Sequence, residues 1–393
     1  MTHTLLRRLA LLATALALVV IVFGAFVRLS NAGLSCPDWP TCYGKVTWPS
    51  GDQQIAQANA SFERDVESHK TWREQLHRHL AAVLGLLVFA IALVAARKRA
   101  GAWLRISAAA ALVALSIPLY VKHYYVAAIV LAALGELILL WSAIRWKKQD
   151  HAGLASVILM VIVFQAMLGM WTVTWLLKPI VVVSHLLGGL TTLALLAWLG
   201  LRLSGFATDA FGSSSVTGWA RVAPARVHVV PPRRTLVIVA LGLLAVQIAL
   251  GGWTSANYAA WACGTDFPRC LDQWWPLANY RDGFVLWRGV GVDYEGGVLD
   301  GPARTAIQMT HRLFALLLSG HLLMLLIKLL RHAPLRGYGI ALALALVTQL
   351  VLGIANVKLG LPLYVAVAHN AVAALLLLLL LGLLARLTPR VAR

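Results

Sequence analysis

Glu74-Gln-Leu-His-Arg-His-Leu-Ala-Ala-Val-Leu-Gly85 sets a carboxylate, two histidines and an arginine at the mouth of an apolar run that continues to Ala96. A charged side chain at membrane depth costs about 2.5–3.5 kcal/mol on insertion scales, so such residues mark sites. A second stretch, Gln308-Met-Thr-His-Arg-Leu-Phe-Ala-Leu-Leu-Leu-Ser319, opens the same way. Outward from the two stretches the likeness continues. Gly24 precedes Cys36 by twelve residues, and Gly251 precedes Cys263 by twelve. Gln165-x-x-x-Gly169 leads to His185 and Gln349-x-x-x-Gly353 leads to His369, with twenty residues from glutamine to histidine in both. Matched markers in one order indicate an internal duplication.

The chain has 393 residues, 60% hydrophobic and only 12% charged. A soluble domain averages nearer a quarter charged, so this is a polytopic membrane protein. Windows of about 20 apolar residues, enough to cross about 30 Å of hydrocarbon, fall at 9–28, 76–96, 103–121, 124–144, 153–174, 181–201, 235–254, 307–330, 337–357 and 365–386. Each must be a helix, because backbone in lipid has to satisfy its own hydrogen bonds. The run after Arg8 is too long for a signal-peptide core and lacks a clear cleavage site, so it reads as an uncleaved span.

The expected fold class is an all-α polytopic membrane protein. It has two tandem pseudo-symmetric four-helix bundles, an inserted helical hairpin and about ten membrane segments. Residues 1–202 form the N-terminal half, 203–234 a linker and 235–393 the C-terminal half. Residues 103–145 have no counterpart in the second half and read as the hairpin, either two spans or a re-entrant pair. Four crossings restore the starting side, so the halves share one orientation about an axis near the membrane normal.

The net charge of +19 does not form a face or an arm; the basic residues sit in short clusters between spans. That pattern is a topology signal, and no nucleic-acid module accompanies it. Arg7/Arg8, Arg97-Lys98-Arg99, Arg145/Lys147/Lys148, Arg221 to Arg234, Lys328/Arg331/Arg336 and Arg390/Arg393 fall on one side, the cytoplasm by the positive-inside rule. Both termini are then cytoplasmic, and two long loops with all four cysteines lie outside.

His77, His185, His311 and His369 enter from the outer side, two per half. Paired imidazoles across a four-helix bundle are what bis-histidine haem ligation needs. Tetrahedral zinc would require three or four ligands per site. His79 competes with His77, and the match to His311 favours His77. Arg78 and Arg312 follow their histidines and can pair with haem propionates or snorkel to the interface. In an oxidising outer compartment each loop is expected to close a disulfide, Cys36–Cys42 and Cys263–Cys270, either as a staple or as a redox pair.

The loop Gly33-Leu-Ser-Cys36-Pro-Asp-Trp-Pro-Thr-Cys42, the Glu74-x-x-His77-Arg78 helix start, and His185, His311-Arg312 and His369 together resemble haem A synthase. The resemblance implies an oxidoreductase of the bacterial inner membrane that converts the C8 methyl group of haem O to the formyl group of haem A for cytochrome oxidase. It implies a haem b cofactor held by His311 and His369, and substrate at His77 and His185 with Glu74 taking part in the chemistry. The first cysteine pair is then tied to disulfide formation and electron supply. Haem O synthase and cytochrome oxidase assembly factors are the implied partners, besides membrane lipid; a homo-oligomer stays open. Only the first half carries the glutamate, since Gln308 stands at its equivalent. The alternative is a bis-histidine cytochrome b that only transfers electrons, which has no need of a carboxylate in one half alone.

Overall fold

The computed structural model describes residues 2–146, 151–204 and 233–388. Lys147 and Lys148, residues 205–232 of the linker, and Arg390 and Arg393 lie outside the described residues.

Twelve α-helices follow one another: α1 (Thr2–Leu29), α2 (Asp52–Ser61), α3 (Ser68–Ala96), α4 (Ala102–Val121), α5 (Tyr125–Trp146), α6 (Ala152–Thr174), α7 (Pro179–Leu203), α8 (Arg234–Ala256), α9 (Tyr280–Gly283), α10 (Gly301–Arg331), α11 (Arg336–Lys358) and α12 (Leu363–Arg386). Among the described residues ten of them are long and apolar enough to cross a membrane, as the ten apolar windows predict; α2 and α9 are the exceptions. The protein is therefore an all-α, multi-pass membrane protein. The two short helices lie in the two long cysteine-bearing loops, where the sequence has no apolar period to announce them. α4 has 20 residues, about 30 Å of helix and so enough for a full crossing.

α1, α3, α6 and α7 pack around one another, and α8, α10, α11 and α12 do the same. The first core sets small residues of α1 (Ala10, Ala13, Ala17) against Val88 and Ile91 of α3 and Leu193 and Leu196 of α7. Small side chains let backbones approach, which is how helices associate where lipid is as apolar as leucine. The second core is built mostly of leucine, including Leu322, Leu325, Leu342 and Leu380. The α4–α5 hairpin leans on α3 and α6; its two helices cross so closely that a Cβ on Gly135 would stand 2.9 Å from the Ala109 carbonyl oxygen.

The bundles meet where α1 and α7 touch α12 and α7 touches α8. Three polar links reinforce the seam at its cysteine-loop end. Arg28 donates to the Tyr258 hydroxyl (3.1 Å) and the Ser255 carbonyl (2.8 Å). Arg64 pairs with Glu295 at 2.6 Å. The Tyr294 amide donates to the Leu176 carbonyl at 3.1 Å, and its buried ring packs with Leu34, Val173 and Leu177. The cysteine-bearing loop of the second half thus forms a strap over the cysteine-loop end of the first bundle.

Candidate functional site

Each of the four histidines is seated on a glycine of the neighbouring helix. A Cβ built on Gly24 of α1 would stand 2.8 Å from Cε1 of His77 on α3. On Gly169 of α6 it would stand 3.0 Å from Cε1 of His185 on α7, on Gly251 of α8 3.1 Å from that of His311 on α10, and on Gly353 of α11 3.1 Å from that of His369 on α12. Only a missing side chain leaves room for the rings, and that is the local reason these glycines sit one helix away from the histidines. His77 and His185 are close enough for a charge on either to repel one on the other, as are His311 and His369.

Three of the seats carry a glutamine one turn before the glycine. Gln165 Nε2 donates to the His185 carbonyl at 2.5 Å. Gln349 Nε2 lies 3.2 Å from His369 Nε2, and Gln247 Nε2 lies 3.1 Å from His311 Nδ1. The fourth seat has Val20 there. Gln165 and Gln349 serve in the sequence as repeat markers; Gln247 is missed because its partner position in the first half is apolar, although the Gln-x-x-x-Gly spacing it shares with the others would have found it.

Nδ1 of His77, His185 and His369 is buried without a hydrogen-bond partner, whereas a packed structural histidine in lipid would be satisfied. No group of three or more histidine, cysteine or carboxylate side chains gathers among the described residues, so no tetrahedral ion site is assembled. Two facing imidazoles in an apolar bundle are a donor set that fits haem iron, once per half.

Above each histidine pair a cysteine loop closes over the bundle mouth. Cys36–Cys42 and Cys263–Cys270 are both disulfide-bonded, the pairs expected from the sequence. Both loops close with a backbone bridge beyond the second cysteine, Cys42 to Lys45 and Cys270 to Gln273. The arginine of each His-Arg pair clamps its loop. Arg78 donates to the Asp38 and Thr41 carbonyls at 2.8 and 2.6 Å, and Arg312 to the Asp266 and Arg269 carbonyls, both at 3.0 Å. These guanidiniums are thus turned onto loop carbonyls.

The halves differ at the carboxylate. Glu74 is buried and accepts from the Cys36 amide (2.8 Å) and the Ser35 hydroxyl (3.1 Å), while Arg78 pairs with its other oxygen at 2.6 Å. One charge-assisted contact and two donors hold it a turn from His77 and against the disulfide. In the second half Ala262 replaces Ser35, and the Oε1 of buried Gln308 has no partner. Ser35 carries no sequence signal of its own; only the return of the loop to α3 gives it a role. A cavity of about 680 Å³ opens beside the first loop, between Leu34, Pro37, Arg64, Val173, Leu176 and Asp293. In the same loop, burial pushes the Tyr43 phenol up to about 12, and its hydroxyl donates to the Asp65 carbonyl at 3.0 Å.

A sequence profile of the COX15-CtaA family, described as cytochrome oxidase assembly protein, matches residues 7–119 and 119–381. A curated relative from Shewanella oneidensis named "Heme A synthase" is 37% identical over 97% of this chain and 95% of its own. The chain belongs to the haem A synthase family. Another relative of that name, from Rhizorhabdus wittichii, is 27% identical over 94% of the chain and 90% of its own length. One from Sphingopyxis alaskensis is 30% identical over 53% and 51%. For this family member the two matched segments meet at residue 119, near the end of α4, so the family likeness takes in both histidine pairs and both cysteine loops.

Proposed function

We propose that this protein oxidises the C8 methyl group of haem O to a formyl group, producing haem A for cytochrome oxidase. In this reading residues 1–202 are the catalytic half, with His77 and His185 on the substrate iron. Residues 235–393 are the cofactor half, where His311 and His369 would hold a resident haem b. The resident haem supplies reversible one-electron chemistry. The glycine seats fix the imidazole planes, and the apolar walls exclude water from the macrocycle. Glu74, one turn from His77, holds or accepts the proton released as the methyl group is oxidised, and the Cys36 amide, Ser35 and Arg78 keep its carboxylate in one orientation. Arg78 and Arg312 sit at the outer edge of each site, where they fasten the loop that roofs it. Both termini face the cytoplasm and the disulfides face outward from the inner membrane; haem O synthase and oxidase assembly factors are the neighbours that deliver haem O and take haem A.

The observation that carries the reading is the asymmetry of a duplicated frame: equivalent histidines, glycines and loop clamps in both halves, but a tethered carboxylate in the first only. A cytochrome working solely in electron transfer has no need of a carboxylate in one half alone. The test is co-expression with haem O synthase, purification and haem extraction. The wild type is expected to yield haem A together with haem B. Glu74→Gln should keep haem B and lose haem A, and His311→Ala or His369→Ala should lose haem B. Haem B alone from the wild type, with haem O present, would overturn the reading.

A further inference from the structure

Two cations of the first bundle have no anion. The Arg73 guanidinium makes no hydrogen bond or ion pair among the described residues; its Nε is buried without a partner, and its carbon lies 5.1 Å from the Phe26 ring centroid and 5.7 Å from that of Trp72. Glu74, its neighbour in the chain, is taken by Arg78. The Lys178 side chain is buried, 1% exposed. Its Nζ has no hydrogen-bond partner and lies 3.4 Å from the ring centroid of Trp287, which the strap brings across from the second half. Aromatic faces attract a desolvated cation, but they replace neither its lost water nor a counter-charge.

Their placement is specific. Arg73 precedes His77 by one turn of α3, and Lys178 precedes His185 by two turns at the head of α7. Arg73 therefore falls on the stripe of His77, about 6 Å towards the cysteine-loop end, and Lys178 stands at that same end as the residue that caps α7. The duplication sets Ile307 at the equivalent of Arg73 and Pro362 at that of Lys178, so the second bundle has neither charge. Two free cations, one from each histidine-bearing helix at the same end of one bundle, match a flat ligand with two carboxylates on one edge.

We propose that Arg73 and Lys178 receive the two propionates of the tetrapyrrole held between His77 and His185. This rests on the reading of the first bundle as a haem site and adds the direction in which the macrocycle enters. Charge-assisted bonds to both carboxylates turn the propionate edge outward. In haem O the C8 methyl group adjoins a propionate, so the same anchoring brings that methyl to the outer end of the site, where Glu74 stands. Arg73 and Lys178 are thus substrate-orienting residues, and the second bundle, lacking them, holds its haem by other contacts.

The test uses the full-length protein purified in detergent and titrated with haem B and with haem B dimethyl ester, whose carboxylates are blocked. First-bundle binding is defined as the part lost in His77→Ala. The wild type is expected to bind the free acid more than tenfold tighter than the ester. Arg73→Gln and Lys178→Gln should each weaken acid binding about ten- to a hundredfold and leave ester binding unchanged; the double variant should lose the preference. Arg73→Lys and Lys178→Arg, which keep the charge, should retain most of it. A wild-type preference in the double variant, or charge-keeping variants that behave like the glutamines, would overturn the assignment while leaving the haem site in place. Binding of neither ligand at a His77-dependent site would overturn both.

Discussion

Gly24→Ala tests whether the glycine seats position the imidazoles. The added Cβ would lie 2.8 Å from Cε1 and 3.2 Å from Nε2 of His77. Carbon atoms settle at about 3.5–4.0 Å, so the ring has to retreat by roughly 0.7–1.2 Å or α1 and α3 have to part. Overpacking of this kind costs about 1–3 kcal/mol, and a misplacement of about 1 Å in a reacting constellation costs about a hundredfold in rate. The expected outcome is a protein that keeps its second-bundle haem and makes about a hundredth of the haem A. Gly251→Ala is milder, because the nearest atom of His311 would be 3.1 Å away and both ring nitrogens 3.8 Å; it should lower resident haem occupancy and spare the first site. The assay is the ratio of haem A to haem B in acid extracts, with a reduced-minus-oxidised spectrum for the resident haem. A wild-type haem A yield from Gly24→Ala would refute the seating argument. Loss of resident haem in Gly24→Ala but not in Gly251→Ala would reverse the assignment of the halves.

Arg312→Gln removes the charge from two bonds to the second loop, each of 3.0 Å. Cys263–Cys270 should become more readily reduced by an impermeant thiol while Cys36–Cys42 does not, as read by alkylation and mass shift; equal reduction of both would count against the clamp. Burial pushes the Tyr43 phenol up to about 12, from about 10 for a free phenol. The neutral phenol is the form the fold prefers, so its contribution holds below about pH 10 and fades as pH rises through the folded value. Tyr43→Phe should flatten that alkaline loss of stability, and an unchanged alkaline unfolding curve would exclude it. Arg64→Ala severs the 2.6 Å ion pair to Glu295, whose partners are 31% and 29% exposed. A partly exposed pair is worth about 0.5–1 kcal/mol, so the variant should fold and bind haem but lose protection of residues 286–298 from proteolysis; equal protection would show that Tyr294 alone secures the strap.

The spans and the duplication are legible in the sequence because both are periodic. Apolar runs of bilayer length have one structural outcome, and markers such as Gln165/His185 and Gln349/His369 keep their spacing inside continuous helices. Features that depend on a loop folding back are not legible. Arg78 reads from its neighbours as a group at a haem edge, and only the return of residues 36–42 to α3 shows its guanidinium spent on carbonyl oxygens. Ser35 is unremarked for the same reason. Arg73 and Arg78 are equal candidates to pair with Glu74 by sequence, and side-chain direction on α3 gives it to Arg78. The strap pairs residues 64 and 176 with residues more than a hundred positions later, a separation over which no local pattern carries information.

That strap has a consequence for biogenesis. Residues 287–295, which supply Trp287, Tyr294 and Glu295 to the outer end of the first bundle, leave the ribosome long after α7. Chains are made and folded from the N-terminus, so the first bundle can assemble before the loop that straps it has been made. The strap is therefore a late tie between the halves, laid across the end of a bundle that already has all four of its helices.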